Sequence, residues 1–184
     1  MPRIPAVDPK TAEGDAKSLL DGVRAKLGAV PNIFATMAQA PSALEGFLAL
    51  NAALAQGALA APLREQIALA VAGSNGCDYC ASAHTALGKG AGLGRDELAR
   101  NLDGRSADPK VQPALDFARN VVAKRGHVSD DEVAALRAAG FGDREIVEIV
   151  AHVAANIFTN YFNIVAGTEI DFPVVRTDPA ARAA

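Results

Sequence analysis

The sequence predicts an all-α fold, and three observations carry that prediction. Apolar residues recur at the spacing of a helix face rather than in the alternation of a strand. Alanine, the best helix former, accounts for 40 of the 184 residues. Glycines, prolines and capping residues stand between the periodic segments, where helices begin and end. With 50% apolar and 21% charged residues, the chain is expected to fold as a globular protein.

The first third of the chain is expected to hold two long helices and a short one between them. Residues 15–27 place their leucines on one stripe and stop at Gly28, a residue that favours a helix C-terminus. Residues 30–34, Val-Pro-Asn-Ile-Phe, form a turn that leads into a short helix. Pro41 opens the next helix, which is expected to reach about residue 56, because proline is tolerated in a first helical turn.

The middle of the chain carries three more helical segments. One begins at Pro62 and ends at the Asn-Gly turn signal that precedes Cys77. The next runs from Cys77 to the glycines near residue 90, and a shorter helix covers Arg95–Leu102.

The last third is expected to add three helices. Residues 112–124 are amphipathic. Ser129 and Glu132 form a capping box, in which each side chain satisfies a free N–H group, and the helix that they open ends at Gly140. The longest and most apolar helix begins at residue 143 and continues to about residue 165.

The domain prediction follows from the length and from the C-terminal composition. A chain of 184 residues is expected to form a single domain, with a core of about residues 15–167. Residues 168–184 contain prolines and charges without a period. They are expected to form an extended tail on the surface or on a neighbouring subunit.

Charge and composition argue against two classes of partner. The net charge is −3 and the lysines and arginines form no run, so nucleic acid is not an expected partner. The uncharged residues 46–63 are interrupted by polar residues, glycine and proline, which favours a buried helical hairpin over a membrane span. The first residues carry prolines and charges where a signal peptide has a continuous apolar segment, so a cytoplasmic protein is expected.

The two cysteines form a lone CxxC pair, Cys77 and Cys80. In a reducing cytosol such a pair is more often catalytic, redox-active or metal-binding than structural. If the segment is one helix, Cys77, Cys80 and His84 fall within an arc of roughly 60°. His84 lies four residues after Cys80, so its imidazole can accept the thiol proton and activate the sulfur.

Two physical rules disagree about which cysteine is the nucleophile. A first-turn position lowers a thiol pKa through the helix dipole and free N–H groups, which favours Cys77. The adjacent imidazole of His84 favours Cys80. These rules alone leave the choice open.

Glu65 is the candidate third member of the site. It lies on the preceding helix, and antiparallel packing across the Asn-Gly turn would bring its carboxylate beside His84, where it could orient and charge the imidazole. Its alternative role is that of a first-turn acid that complements its own helix dipole. A zinc site is the main chemical alternative for Cys77, Cys80 and His84, but the segment lacks a second CxxC pair. No metal is therefore assigned.

Two further residues are candidates for supporting roles. Tyr79, between the cysteines, is expected to pack or to line the pocket, with proton handling as an alternative. His152 belongs to a polar stripe on the last helix and could lie near the thiols, although such a stripe is usually a solvated face or a set of paired amides.

The sequence resembles a known family at these residues. The segment REQIALAVAGSNGCDYCASAHTALGKGAGL, residues 64–93, is similar to the alkylhydroperoxidase D-like group of the carboxymuconolactone decarboxylase superfamily. The motif of that group is a Glu, eleven residues, CxxC and a His four residues after the second Cys. Glu65, Cys77, Cys80 and His84 fit it without gaps. The likeness extends to VPNIF at 30–34 and to residues 148–173.

The resemblance implies an all-helical fold of the alkylhydroperoxidase D-like type and thiol-dependent reduction of hydroperoxides in antioxidant defence. By this likeness Cys80 is the peroxidatic cysteine, Cys77 is a more exposed resolving cysteine, and Glu65 and His84 form a proton relay. The sequence departs from the pattern at Tyr79, where the characterised member has a histidine.

The resemblance also bears on cofactors and partners. No bound cofactor is expected. The expected partners are hydrogen peroxide or a small organic hydroperoxide, an external dithiol or lipoyl-type protein reductant, and further copies of the chain in a trimer or hexamer. Alternatives are a disulfide oxidoreductase, a non-catalytic redox-sensing module and a zinc-structured protein. Because the decarboxylase branch does not rely on a CxxC pair, the two cysteines argue against lactone decarboxylation.

Overall fold

The computed structural model describes residues 1–182 and confirms the all-α prediction, with no strand in that range. The tail residues 183–184 lie outside the described residues. The helices are α1 (Gly14–Leu27), α2 (Asn32–Met37), α3 (Pro41–Leu54), α4 (Ala61–Asn75), α5 (Asp78–Gly90), α6 (Arg95–Leu102), α7 (Gln112–Ala123), α8 (Asp130–Ala138), α9 (Asp143–Ala166) and α10 (Pro179–Arg182).

Most predicted boundaries lie within one or two residues of the observed ones, and three of the differences follow from local contacts or residue types. Helix α3 ends at Leu54 rather than near residue 56, because the Glu148 carboxylate accepts the N–H groups of Ala58 and Leu59 and holds the following residues in a turn. Helix α5 begins at Asp78, one residue later than predicted. The predicted extended tail contains the short helix α10, which begins at a proline.

Helix α4 is the central element of the bundle. It contacts α5, α6, α7 and α9, and its residues Gln66 to Ala72 are all buried. A helix that is buried on every side needs apolar and small residues around its whole circumference, which the sequence IALAVA supplies. Glu65, just before this buried stretch, is therefore carried on a firmly packed helix.

The small residues of α4 allow close approach of its neighbours. A Cβ atom built at Gly73 would lie 2.0 Å from the carbonyl oxygen of Leu102 in α6. Only glycine fits this crossing without a shift of one backbone. The high content of alanine and glycine thus corresponds to closely packed helices.

Two apolar clusters lie on opposite sides of α4. The first joins α1, α2, α3 and α5 and includes both cysteines. The second joins α4 to α7, α8 and α9 around Leu115, Leu136 and Ile149, which are fully buried. The CxxC pair therefore belongs to the apolar core of the first half of the bundle.

The chain termini close the end of the bundle where the cysteines lie. Arg3 donates to the carbonyl oxygens of Ile164 and Val165, which caps the C-terminal end of α9. The segment 169–177 runs across α2 and the first turn of α5. The predicted tail thus lies on the chain's own surface.

Helix α9 is the one described helix that is long and apolar enough to cross a membrane by composition. Half of its most apolar window is buried in the bundle, as in the core helix of a globular protein. Its outer side exposes the apolar side chains of Val147, Phe158, Tyr161 and Val165.

Candidate active site

The turn between α4 and α5 positions the two cysteines. Gly76 adopts the left-handed conformation, with φ of 69°, and ends α4. Cys77 follows in an extended conformation as the N-cap of α5, and its Sγ accepts the backbone N–H of Cys80 at 3.4 Å. The prediction that Cys77 lies in the first helical turn is wrong by one residue, because this N-cap geometry requires a non-helical backbone.

The two thiols have opposite acidities. A thiol–thiol hydrogen bond to Cys80 and the burial of the site raise the pKa of Cys77, and they outweigh the opposite effect of the Cys80 backbone N–H. The same hydrogen bond lowers the pKa of Cys80, further helped by the charge of His84, and these effects outweigh the burial of Cys80. The arrangement therefore favours a Cys80 thiolate that accepts a hydrogen bond from a neutral Cys77 thiol.

Both cysteines are buried. Cys77 is 1% exposed and Cys80 is 3% exposed, so the expectation that Cys77 is the more exposed thiol is wrong. The reason is the C-terminal segment, for which the sequence predicts a place on the surface or on a neighbouring subunit. In the structure this segment binds to the first turn of α5 next to Cys77.

Asp78 and Ser82 hold that segment. The Asp78 carboxylate accepts from the Thr177 backbone N–H at 2.8 Å, from the Thr177 hydroxyl at 2.7 Å and from Arg176 at 2.9 Å. The Ser82 hydroxyl accepts the Val175 N–H at 2.9 Å. We name residues 169–177 the covering segment.

Glu65 and His84 meet as the antiparallel packing of α4 and α5 predicts. Glu65 Oε2 lies 2.7 Å from His84 Nδ1, and the two side chains remain 20% and 23% exposed. Burial alone would lower the pKa of His84, but the hydrogen bond and charge of Glu65, together with Cys80, raise it. The imidazole can therefore carry a proton next to the Cys80 sulfur.

Tyr79 lies among packing contacts rather than in the relay. Its hydroxyl accepts the N–H of Ile33 at 3.2 Å, and its ring packs edge-on against Phe172 of the covering segment. Burial raises the pKa of Tyr79, with further increases from Asp171 and Cys80. The hydroxyl thus stays protonated and links α5 to α2 and to the covering segment.

His152 is buried on α9, close enough to Glu65 and His84 for their charges to act on it. Burial and the charge of Arg64 lower its pKa, which keeps the ring neutral. Within residues 1–182, His152 Nε2 has no hydrogen-bond partner. His152 therefore lies beside the relay without joining it.

Three asparagines complete the surroundings of the Cys80 sulfur, and sequence reasoning assigned them no part in the site. Asn163 Nδ2 on α9 donates to Cys80 Sγ at 3.3 Å. Asn160 also lowers the pKa of Cys80, and Asn75 Nδ2 donates to Asn160 Oδ1 at 2.9 Å. The polar stripe on the last predicted helix was the signal that could have found Asn160 and Asn163.

The described part of the chain contains no group of three or more His, Cys, Asp or Glu side chains arranged to hold a metal ion. In this structure His84 is instead bound to Glu65, and the Cys80 sulfur is bound to Asn163. The site thus consists of a carboxylate–imidazole pair and, near it, a thiol held by an amide, and the charge of His84 acts on that thiol.

Comparisons with known proteins point to one family. The family model described as the Carboxymuconolactone decarboxylase family matches residues 41–124, which include α4 and α5. A search of the curated proteins finds no match to this sequence. Among solved structures, an alkylhydroperoxidase AhpD core, described as an uncharacterized peroxidase-related protein from Ralstonia eutropha JMP134, is 27% identical with a TM-score of 0.84. The match covers 92% of each chain.

Two further structures share the fold. A peroxidase-related protein from Silicibacter sp. TM1040 is 24% identical, with a TM-score of 0.78 over 91% of this chain and 92% of that one. The debrominase Bmp8 is 19% identical, with a TM-score of 0.75 over 98% of this chain and 94% of that one. Residues 41–124, which carry the Glu-CxxC-His geometry, therefore match the Carboxymuconolactone decarboxylase family, and the chain has the fold of the alkylhydroperoxidase AhpD core structure.

Proposed function

We propose that the protein is a thiol-dependent hydroperoxide reductase that acts in antioxidant defence. The observation that carries this proposal is the set of groups that stabilise a Cys80 thiolate. Asn163 Nδ2 donates to the sulfur, the Cys77 thiol is hydrogen-bonded to it, and His84, held by Glu65, supplies a positive charge. A sulfur so surrounded is ionised and nucleophilic at neutral pH.

In the first step the Cys80 thiolate attacks the terminal oxygen of the hydroperoxide. An S–O bond forms, the O–O bond breaks, and the sulfur loses two electrons to the peroxide, which leaves as an alkoxide or hydroxide. The imidazolium of His84 gives this leaving group its proton, and Glu65 stabilises the charged imidazole. The partly exposed Glu65 and His84 mark the side from which a small peroxide enters.

In the second step Cys77 resolves the sulfenic acid. Its sulfur attacks Cys80, an S–S bond forms, and the oxygen leaves as water after it takes up a proton. The cysteines are adjacent across the helix N-terminus, so this step needs only a small local movement. An external dithiol or a lipoyl-type protein then donates two electrons and two protons to restore both thiols.

The remaining parts of the proposal concern the state of the protein. It functions in the cytoplasm without a bound cofactor, as a homo-oligomer such as a trimer or hexamer. The exposed apolar side chains of α9 support an assembled state.

A turnover assay tests this function. The purified protein is mixed with hydrogen peroxide or cumene hydroperoxide and with dihydrolipoamide, and peroxide loss is followed. We expect many turnovers for the wild type and none for Cys80→Ser. A single round of oxidation that forms the Cys77–Cys80 disulfide without turnover would indicate a redox sensor instead. Zinc at one ion per chain in the purified protein would indicate the metal-structured alternative.

A further inference from the structure

Two buried amide atoms next to Cys80 have no partner within residues 1–182. They are Asn160 Nδ2 and Asn163 Oδ1, one a hydrogen-bond donor and the other an acceptor. Asn160 is 0% exposed and Asn163 is 3% exposed, so bulk water does not reach either side chain. Buried polar atoms without partners are uncommon in native proteins and often mark a functional site.

The neighbours of these side chains fix their orientation. Asn75 donates to Asn160 Oδ1, which leaves the Asn160 amino group as its free end. Asn163 Nδ2 is already bound to the Cys80 sulfur, which leaves its oxygen free. Asn160 lies three residues before Asn163 on the same buried face of α9, and Asn163 contacts the Cys80 sulfur. Both free atoms therefore belong to amides on the face of α9 that meets this sulfur, and Asn160 also lowers the pKa of Cys80.

The free donor and acceptor match the chemistry of a sulfenic acid. A Cys–SOH group has one oxygen that accepts a hydrogen bond and one O–H that donates. We propose that Asn160 and Asn163 form a pre-built site for the oxygen atom that a peroxide transfers to Cys80, with Asn160 Nδ2 donating to that oxygen and Asn163 Oδ1 accepting its proton. This inference rests on the proposed function and goes beyond it, because it assigns catalytic contacts to two α9 residues outside the Glu-CxxC-His motif.

The two amides are expected to stabilise the transition state in which the S–O bond forms. In the transition state the S–O bond is partly made, and negative charge passes from the sulfur through the transferred oxygen to the leaving oxygen as the O–O bond lengthens. An amide N–H already aimed at the transferred oxygen stabilises that charge without reorganisation, as oxyanion-hole donors do. Once the oxygen has left as water, the amides return to their unpaired state, so they do not trap the sulfenic acid.

The test compares oxygen transfer with a reaction of Cys80 that transfers no oxygen. In a Cys77→Ser background, which stops resolution, the rates of Cys80 with hydrogen peroxide and with iodoacetamide are measured for Asn160→Leu and Asn163→Leu. The pH is one at which thiolate absorbance shows Cys80 fully ionised in every variant. Asn156→Leu is the matched control, since Asn156 is also buried on α9 but donates to the carbonyl of His152 on its own helix.

We expect the two variants to lower the peroxide rate constant about tenfold to a hundredfold, as loss of an oxyanion-hole donor does. The rate of alkylation by iodoacetamide is expected to change much less in these two variants. The control substitution Asn156→Leu is expected to change neither rate. Equal losses in both reactions, or no loss in either, would overturn the oxygen site. Asn160→Ala and Asn163→Ala replace any leucine variant whose helical circular dichroism is lost.

The comparison also separates this inference from the proposed function. The ratio of the peroxide rate constants of the Cys77→Ser parent and of each asparagine variant tests the oxygen site, even when the reaction is slow and needs a large excess of peroxide. The absolute peroxide rate constant of the Cys77→Ser parent tests the proposed function. A parent that oxidises no faster than glutathione would contradict the peroxidase proposal, whereas normal parent rates with unaffected variants would contradict only the oxygen site.

Discussion

At the residue scale, the two cysteines differ because of what surrounds each sulfur. Cys80 receives hydrogen bonds from Cys77 and Asn163 and lies near the charged His84, whereas Cys77 is buried and faces a neighbouring thiolate. The two rules that conflicted in the sequence are thus resolved by burial and contact. The N-cap position of Cys77 does not give it the lower pKa, since its own proton stabilises Cys80.

The pH dependence of Cys80 follows from these contacts. Because its pKa is lowered, the thiolate persists as the pH falls from neutral, and peroxide reactivity declines only when the pH passes below that lowered value. In Glu65→Gln the carboxylate no longer raises the pKa of His84, so the imidazolium is lost and the Cys80 titration moves to higher pH.

Thiolate absorbance at 240 nm against pH measures this shift, and the peroxide rate at neutral pH is expected to fall by about a hundredfold, the usual range for loss of general acid–base catalysis. Glu45→Gln on the exposed side of α3 is the control and is expected to leave the titration unchanged. An unchanged Cys80 titration midpoint in Glu65→Gln would show that the Glu65 carboxylate does not keep His84 protonated.

Tyr79 is predicted to matter for stability and not for chemistry. Tyr79→Phe removes the hydroxyl that accepts the Ile33 N–H, which should lower the free energy of unfolding by about 1–2 kcal/mol. Urea denaturation measures this loss. The peroxide rate of Cys80 is expected to change less than about threefold, since a change of 1.4 kcal/mol in a barrier is needed for tenfold. A tenfold slower reaction at unchanged stability would instead place Tyr79 in the proton path.

At the element scale, most of the fold and half of the site follow from the sequence. Periodicity and caps locate α1 to α9, and equal distances from the Asn-Gly turn bring Glu65 onto His84. The polar stripe of α9 is visible in the sequence, but its contact with Cys80 is not, because Asn163 and Cys80 are 83 residues apart and meet only through tertiary packing. The burial of Cys77 could not be predicted for the same reason, because it depends on the contact of Thr177 with Asp78, which are 99 residues apart in the sequence.

A glycine pair tests the close packing of α4. Gly73→Ala would place its Cβ 2.0 Å from the Leu102 carbonyl oxygen, so the backbones must separate. We expect a loss of about 1–3 kcal/mol in the free energy of unfolding, as for overpacked cores. Gly22→Ala in α1 meets no described atom within 4 Å and should gain about 0.5–1 kcal/mol from helix propensity. Similar effects of both substitutions in urea denaturation would contradict the packing argument.

The covering segment is predicted to limit access to the cysteines by size. The double variant Arg176→Ala, Thr177→Val removes the side-chain contacts with Asp78 and leaves the backbone one. We expect the bulky disulfide DTNB to react several-fold faster with the variant, while the much smaller hydrogen peroxide reacts at nearly the same rate. Arg137→Ala, which breaks an exposed ion pair with Asp143, is the control. Equal DTNB rates in all three proteins would show that the segment is no barrier.

At the scale of the whole molecule, the alanine-rich composition serves close helix packing and leaves apolar side chains on the outside of α9. A monomer would expose Phe158, Tyr161 and Val165 on one helix as an apolar patch that favours association. We therefore expect light scattering at micromolar concentration to report a trimer or hexamer. A monomeric mass would contradict this prediction but would not affect the reaction proposed for the two cysteines.

In the proposed cycle Cys80 takes an oxygen atom from a peroxide and Cys77 removes it. The most direct measurement is mass spectrometry of intact and digested protein after one equivalent of hydrogen peroxide, with dimedone to trap sulfenic acid. We predict a Cys77–Cys80 disulfide in the wild type and a dimedone adduct on Cys80 in Cys77→Ser. An adduct on Cys77 in Cys80→Ser with none on Cys80 in Cys77→Ser, or no thiol oxidation in any protein, would contradict the account.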